Sequence, residues 1–317
     1  MAKTILVTGH AGFIGSHLTA KLLEVGNKVV GVDNYNDFYS PTRKRANVAP
    51  FLKNPKFKQY ELDILDADGL KRVFEDQNID TVVHLAARAG VRPSIANPSL
   101  YEEVNVKGTL NILETMRVFA VKHLVFGSSS SVYGNQTKVP FTETDPVNQP
   151  VSPYAATKKA AEMLGYTYSY LHQLQTTCLR FFTVYGPAGR PDMAPYLFTQ
   201  KILKGESIIR YGDGSSSRDY TYVDDIVSGI TAAVDKPLDF EVINLGNHQP
   251  VTLNDFIALI ERLTGKKAVI EEAPRNPADV LTTYADIAKA KKLLSWEPKT
   301  KLEDGMKQFI DWFKQSA

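Results

Sequence analysis

The stretch KTILVTGHAGFIGSHLTAKLLEVG (residues 3–26) decides the fold. KTILVT (3–8) is a short run of β-forming residues, and residues 12–26 carry helical apolar spacing closed by Gly26. Gly9, Gly12 and Gly15 lie between them. Glycine permits a tight turn there and lets backbone approach a pyrophosphate closely. The following helix start offers free N–H groups and the positive end of its dipole to that anion. The next strand, KVVGVD (28–33), ends in Asp33, at the distance where a dinucleotide fingerprint places its acid. Its carboxylate can accept the adenosine ribose hydroxyls and would repel a 2′-phosphate, so NAD is expected rather than NADP. A purely structural turn uses the same glycines; the flanking strand, helix and acid together set this one apart.

Outward from this unit, strand-like and helix-like segments alternate. KFKQYELD (56–63), DTVVHLAA (80–87), KHLVFGSSS (122–130) and TTCLRFF (176–182) read as strands. Helices are expected from Leu100 to Phe119 and from Pro153 to about Leu171. Near-continuous apolar strands between helices imply an α/β fold, a Rossmann-type doubly wound parallel sheet. YGPAGRPDMAP (185–195) is too rich in Pro and Gly for regular structure, and a helical pattern returns at 302–315. The expected organisation is a cofactor-binding domain over 1–183, with later returns of the chain, and a smaller α/β substrate lobe over 184–317. Asp63, closing its strand, suits an adenine amino group. Leu85, Ala86 and Ala87 leave room at a strand end for a cofactor to cross.

Bulk composition narrows the function classes. Of 317 residues, 43% are hydrophobic and 23% charged, ordinary for a globular chain. A net charge of +2 favours neither nucleic acid nor a membrane surface, so any anion site must be local. No apolar run reaches the ~20 residues of a bilayer span. MAKTILVTG enters a strand directly without a signal pattern, and a cytoplasmic protein is expected. The lone Cys178 reads as a buried strand residue, and no metal site is expected.

Tyr154 and Lys158, in PYAATKK, share one face of a helix. A free phenol titrates near pH ~10 and is a poor base at neutrality. A neighbouring ammonium or a cationic nicotinamide ring would favour the phenolate. Tyr154 could then exchange a hydroxyl proton while hydride moves, with Lys158 also holding the nicotinamide ribose. GSSSSVYG (127–134) ends a strand where α/β sheets bind ligands. On extended backbone Ser129 and Ser131 face one side, and Ser128 and Ser130 the other.

Together these segments resemble the extended short-chain dehydrogenase/reductase family and, within it, the nucleotide-sugar epimerases. The match runs through VTGHAGFIGSHL, VDNYND, ELDILD, HLAARAGVRPS, SSSSVYG, YAATKKAAE, LRFFTVYGP, RDYTYVDD and NPADVLTTYAD. The resemblance implies Ser129, Tyr154 and Lys158 as the catalytic trio, with Ser130 and Ser131 as alternative partners. It places Phe13, Ile14, Asn34, Asn36, Ile64, Asn105, Ser128 and Phe182 by the cofactor. Thr183, Leu197, Phe198, Tyr211, Arg218 and Asp279 match a nucleotide-diphosphate pocket, with Arg92 and Arg275 on the substrate side. NYNDFYSPTRKR (34–45), AGVRPSIANP (89–98) and FFTVYGPAGRPDM (181–193) resemble the UDP-glucuronate 4-epimerase subfamily. Ala188, Pro93 and the NPAD segment (276–279) depart from its pattern and bear on the sugar, not on the chemistry.

The implied reaction is transient oxidation at C4 of a UDP-sugar, rotation of the 4-keto sugar, and return of hydride to its other face. Related dehydratases and decarboxylases carry carboxylates where this chain has serines, which favours simple epimerisation. Arg190, with Thr183 and Ser131, suits a glucuronate carboxylate. Arg190 equally suits a UDP phosphate or a pair with Asp192. The competing readings are a UDP-glucose/UDP-galactose 4-epimerase and a non-catalytic NAD-binding module. The resemblance further suggests a homodimer through the helices at 100–119 and 153–171.

Overall fold

The computed structural model describes residues 2–275 and 279–316; Asn276, Pro277 and Ala278 of the NPAD segment lie outside the described residues. The first elements are β1 (Thr4–Thr8), α1 (Phe13–Glu24), β2 (Lys28–Asp33), α2 (Pro41–Val48), β3 (Phe57–Glu61), α3 (Ala67–Asp76) and β4 (Thr81–His84). Then come α4 (Val91–Ala96), α5 (Pro98–Glu102), α6 (Gly108–Val118), β5 (His123–Ser129), α7 (Pro153–His172) and β6 (Gln175–Phe181). The chain passes through β7 (Thr183–Tyr185), α8 (Ala194–Lys204), β8 (Ser207–Tyr211) and β9 (Ser217–Tyr222). It returns with α9 (Val223–Asp235) and β10 (Phe240–Leu245). It ends with β11 (Pro250–Thr252), α10 (Leu253–Thr264), β12 (Val269–Ala273), α11 (Ala288–Leu294) and α12 (Leu302–Ser316).

The main sheet runs β10-β6-β5-β4-β1-β2-β3, and every neighbouring pair is parallel. Strand order reverses between β1 and β4, so a crevice opens beyond their carboxyl ends. Alternation along each strand fills both faces. Ile5, Val7, Val29, Val83, Val125 and Leu179 enter one core, and Leu6, Val30, Val82, Leu124 and Cys178 the other. Helices α1 and α9 pack together, as do α3, α6 and α7. The lobe holds a three-stranded sheet, β11-β9-β7, and a two-stranded one, β12-β8.

Two local expectations need correcting. The helix expected over 100–119 begins at Pro98 and is interrupted by a π turn, Glu103–Lys107. Apolar periodicity cannot register one extra residue in a turn, and such turns gather at functional positions. The serine run is not extended throughout. The Ser129 hydroxyl accepts from Ser131 N at 3.1 Å and caps a 3₁₀ turn, Ser130–Tyr133. Ser130 and Ser131 therefore leave the strand, and the alternating reading of their faces fails beyond Ser129. The segment 186–193 is irregular as expected, with Ala188 held at φ +57°, while Ala194 and Pro195 already open α8.

Candidate active site

A single cavity runs along the sheet's crevice from the glycine loop to Tyr154. At its near end the backbone packs too tightly for side chains. Gly9 sits at φ +73°, and a Cβ on Gly15 would lie 2.0 Å from the Gly9 carbonyl oxygen. Helix α1 starts at Gly12 without a side-chain cap. The amides of its first turn therefore lack a side-chain cap, the arrangement that binds phosphate. Gly9, Gly12, Phe13, Ile14 and Gly15 all line this wall.

The adenosine-side residues form one hydrogen-bonded group. Asp33 accepts from Tyr35 N at 2.8 Å and Ala11 N at 3.2 Å, tying β2 to the glycine loop. Asn34 donates to Asp63 at 2.6 Å and accepts from the Asn36 side chain at 2.8 Å. Ile64, Leu85, Ala86 and Ala87 complete the wall. Residues that sequence reading missed also reach it. The loop after β2 folds back and brings Phe38 and Tyr39 to the cavity, and α2 adds Lys44. Lys44 is buried and donates to the Asn36 carbonyl at 2.8 Å. Burial pulls its ammonium pKa down, and Asp33 opposes this. The Tyr39 hydroxyl is buried beside the Phe13 amide with no acceptor for its own proton, and burial pushes its pKa up to about 12. A Cβ on Gly12 would stand 3.8 Å from that hydroxyl. An orphaned donor beside uncapped helix amides fits a bound diphosphate. Only the doubled aromatic at Phe38-Tyr39 signalled this in the sequence.

At the far end, α7 begins where Ser152 Oγ accepts from Ala155 N at 3.2 Å, with Pro153 in the first turn. That cap sets Tyr154 at the mouth of the helix. Tyr101 packs edge-on against Tyr154, ring centroids 6.2 Å apart, and donates to the Ala89 carbonyl at 2.6 Å. Tyr154, Lys158, Ser128, Ser129, Ser130, Ser131, Phe182, Thr183 and Arg190 all line this end. Burial pushes the Tyr154 phenol up; the Ser129 hydroxyl and the charge of Arg190 oppose it. Lys158 turns its amine to the Gly127 carbonyl, 2.8 Å away, over the Phe126 ring. Burial lowers Lys158 to about 8, with Glu162 opposing. Arg190 brings to the phenol a further positive charge that helix spacing did not suggest. Arg190 donates to Asp192, Nε to Oδ1 at 3.0 Å, and stacks on Phe38.

Other expected residues stand outside the cavity. Asn105 lies on the π turn, buried. It holds both backbone groups of Arg88 (2.8 and 3.0 Å) and the Thr157 hydroxyl (3.0 Å). It fixes the chain beside the cavity from behind. Arg92, Tyr211 and Asp279 meet in one cluster. Arg92 donates to Asp279 at 2.6 Å with its guanidinium 4.1 Å from the Tyr211 ring centroid. Arg218 lies close enough to Arg92 and Asp279 to feel both charges. Phe198 is buried in the core, Leu197 packs against it, and Arg275 is exposed beside Gly212. The Ser128 hydroxyl, although at the cavity wall, turns inward to Glu162 at 2.7 Å.

A family model described as GDP-mannose 4,6 dehydratase matches residues 6–309. The chain belongs to the extended short-chain dehydrogenase/reductase family. Among its relatives in this family is the UDP-glucuronate 4-epimerase of Thermodesulfobacterium geofontis, 49% identical over 98% of this chain and 96% of that protein. The fold is similar to that of a UDP-glucuronic acid 4-epimerase from Bacillus cereus solved with UDP-glucuronic acid and NAD. That structure has a TM-score of 0.93 and 36% identity, covering 99% of this chain and 100% of that one. A UDP-glucose 4-epimerase from Thermotoga maritima solved with UDP-glucose has a TM-score of 0.90 and 36% identity, covering 99% of each chain.

Two outcomes follow from this geometry. Tyr39→Phe should weaken dinucleotide binding about fivefold in titration calorimetry, with little change in melting temperature in a thermal melt, because the hydroxyl proton has no acceptor within the fold. Lys158→Met should stabilise the empty fold at pH 7. Holding a buried ammonium at about 8 instead of the ordinary lysine value near 10.5 costs about 3 kcal/mol, less about 1 for the lost bond to Gly127. The unfolded chain binds more protons between those two values, so wild-type stability rises with pH there and the variant's advantage fades. Urea unfolding at pH 7 and above pH 10 reads both.

Proposed function

We propose that this chain is an NAD-dependent UDP-sugar 4-epimerase that converts UDP-glucuronate to UDP-galacturonate. One observation carries the reading. The catalytic end of the cavity is lined by Tyr154, serine hydroxyls and Arg190, while its two acids, Asp33 and Asp63, belong to the other end. Elimination of water needs a carboxyl acid at the reacting end; reversible oxidation needs only a phenol and hydrogen-bond donors. The similarity to named UDP-glucuronate 4-epimerases, one solved with UDP-glucuronic acid and NAD, supports the same reading.

Gly9, Gly12, Phe13, Ile14 and Gly15 would hold the cofactor diphosphate. Asp33, Asn34, Asn36, Asp63 and Ile64 would hold the adenosine. Leu85, Ala86, Ala87, Phe182 and Lys158 would hold the nicotinamide ribose end. Bound there, NAD supplies a hydride acceptor and donor and a positive charge near the phenol. Tyr154 takes the C4 hydroxyl proton and later returns it, and Ser129 fixes that hydroxyl. Arg190, still carrying free N–H groups beyond its pair with Asp192, meets the sugar carboxylate together with Thr183 and Ser131. Holding that carboxylate rigid guards the 4-keto acid against loss of carbon dioxide. The cluster of Arg92, Tyr211, Arg218 and Asp279 would take the nucleotide, with Leu197, Phe198 and Arg275 around it. Residues 1–183 then serve mainly the cofactor and 184–317 mainly the sugar nucleotide.

The protein is further proposed to work in the cytoplasm as a homodimer. No helix among the described residues is long and apolar enough to cross a membrane. Leu110 and Val118 on α6 and Met163, Tyr166 and Tyr170 on α7 are exposed, with Tyr170 at 76%. Such a stripe on two adjoining helices suits a self-complementary interface.

Incubation with UDP-glucuronate and, separately, UDP-glucose, read by proton NMR, should give UDP-galacturonate from the first alone. Turnover of UDP-glucose alone would transfer the protein to the neutral-sugar class, and turnover of neither would leave a binding module. Tyr154→Phe should lower kcat by a factor on the order of 10³ with little change in KM.

A further inference from the structure

One turn beyond Lys158, helix α7 carries a second charged residue in the interior. Glu162 is buried, with its side chain 1% exposed and that of Arg180 2%. Its Oε1 accepts from Ser128 Oγ at 2.7 Å and Arg180 Nε at 2.9 Å, and its Oε2 from Arg180 Nη2 at 2.9 Å. Ser128 and Arg180 are direct partners across the β5–β6 ladder, so both reach the same carboxylate from neighbouring strands. The Arg180 guanidinium lies 4.7 Å from the centroid of the Tyr133 ring, and the Tyr133 hydroxyl donates to Asn244 on β10 at 2.7 Å. Helix α7 thus grips consecutive residues of β5: Lys158 donates to the Gly127 carbonyl, and Glu162 accepts from Ser128. The next residue of that strand is Ser129.

We propose that Glu162 is a positioning residue for the reaction: the Ser128–Glu162–Arg180 clamp fixes α7 on the end of β5 and supplies the counter-charge for Lys158. This rests on the epimerase reading above. A buried ion pair is weak evidence for stability, since packed apolar residues of the same volume do as well. Its placement argues for a different purpose. The groups facing Lys158 are Glu162 on its own helix, Cys178 on β6 and His84 on β4. Burial keeps the Cys178 thiol protonated, and His84 is held neutral, down to about 3, by burial and by Lys158 itself. Arg180 binds both Glu162 oxygens from β6. Lys159 reaches the same carboxylate at 3.3 Å. Of the buried pair, Glu162 is the member one turn from Lys158 on the same helix, and its charge opposes the burial of that ammonium.

The deciding variant is Glu162→Gln/Arg180→Gln, which removes both charges together and avoids stranding either one in the interior. The protein is labelled with carbon-13 at lysine Cε, and the Lys158 resonance is identified by its loss in Lys158→Met. In the double variant the Lys158 midpoint should fall by about one pH unit. The alkaline limb of kcat should move down with it, and kcat at pH 7.5 should fall about tenfold with KM within about twofold. A midpoint that stays at the wild-type value overturns the proposal, as does wild-type kcat in the folded double variant. Should that variant fail to fold, Ser128→Ala decides, since it keeps the ion pair and loosens only the strand end. Its kcat should fall about threefold with an unmoved Lys158 midpoint, and wild-type kcat would overturn the clamp. The titration needs no substrate, so a wild-type protein without turnover would count against the epimerase reading and not against the clamp.

Discussion

A parallel sheet covered by helices on both faces can offer polar chemistry only at the ends of its strands. Everything functional in this protein follows from that constraint. Ile5 and Val7 bury one face of β1 and Leu6 the other, leaving the glycine loop beyond its end to meet the crevice. Asp33, Ala86 and Ser129 stand at or just beyond the ends of β2, β4 and β5, around the point where strand order reverses. The long cavity is the space those ends leave open, and its two ends differ in chemistry because different strands close them.

Local spacing made much of this legible. The glycine loop, Asp33, Tyr154 and Lys158 depend on contacts within a turn or on one helix face, and the fold places them in one cavity. The alternation of elements likewise specified the doubly wound sheet. What escaped the sequence reading depends on chain segments that meet only after folding. Tyr39 enters through a loop that folds back over the glycine turn, and Lys44 through the helix that follows it. Asn105 turns away from the cavity because a π turn rotates it toward Arg88 and Thr157. Ser130 and Ser131 leave the strand because Ser129 caps a turn, a hydrogen bond that alternation cannot anticipate.

The electrostatics of the reacting end also differ from the one-dimensional picture. Spacing offered Lys158, together with a cationic nicotinamide, to favour the Tyr154 phenolate. In the folded chain Lys158 donates to the Gly127 carbonyl, and Arg190, distant in sequence, adds its charge at the phenol. Arg190 is already paired with Asp192, so an incoming anion shares an oriented guanidinium and does not have to order one.

The central claim is that C4 of the sugar is oxidised and reduced within one closed site, its hydrogen leaving and returning as hydride. The fate of a deuterium placed at C4 of UDP-glucuronate tests this most directly. Turnover in ordinary water should give UDP-galacturonate retaining the deuterium at C4, read by NMR or mass spectrometry. Its replacement by solvent hydrogen would show inversion by proton exchange and would contradict the account.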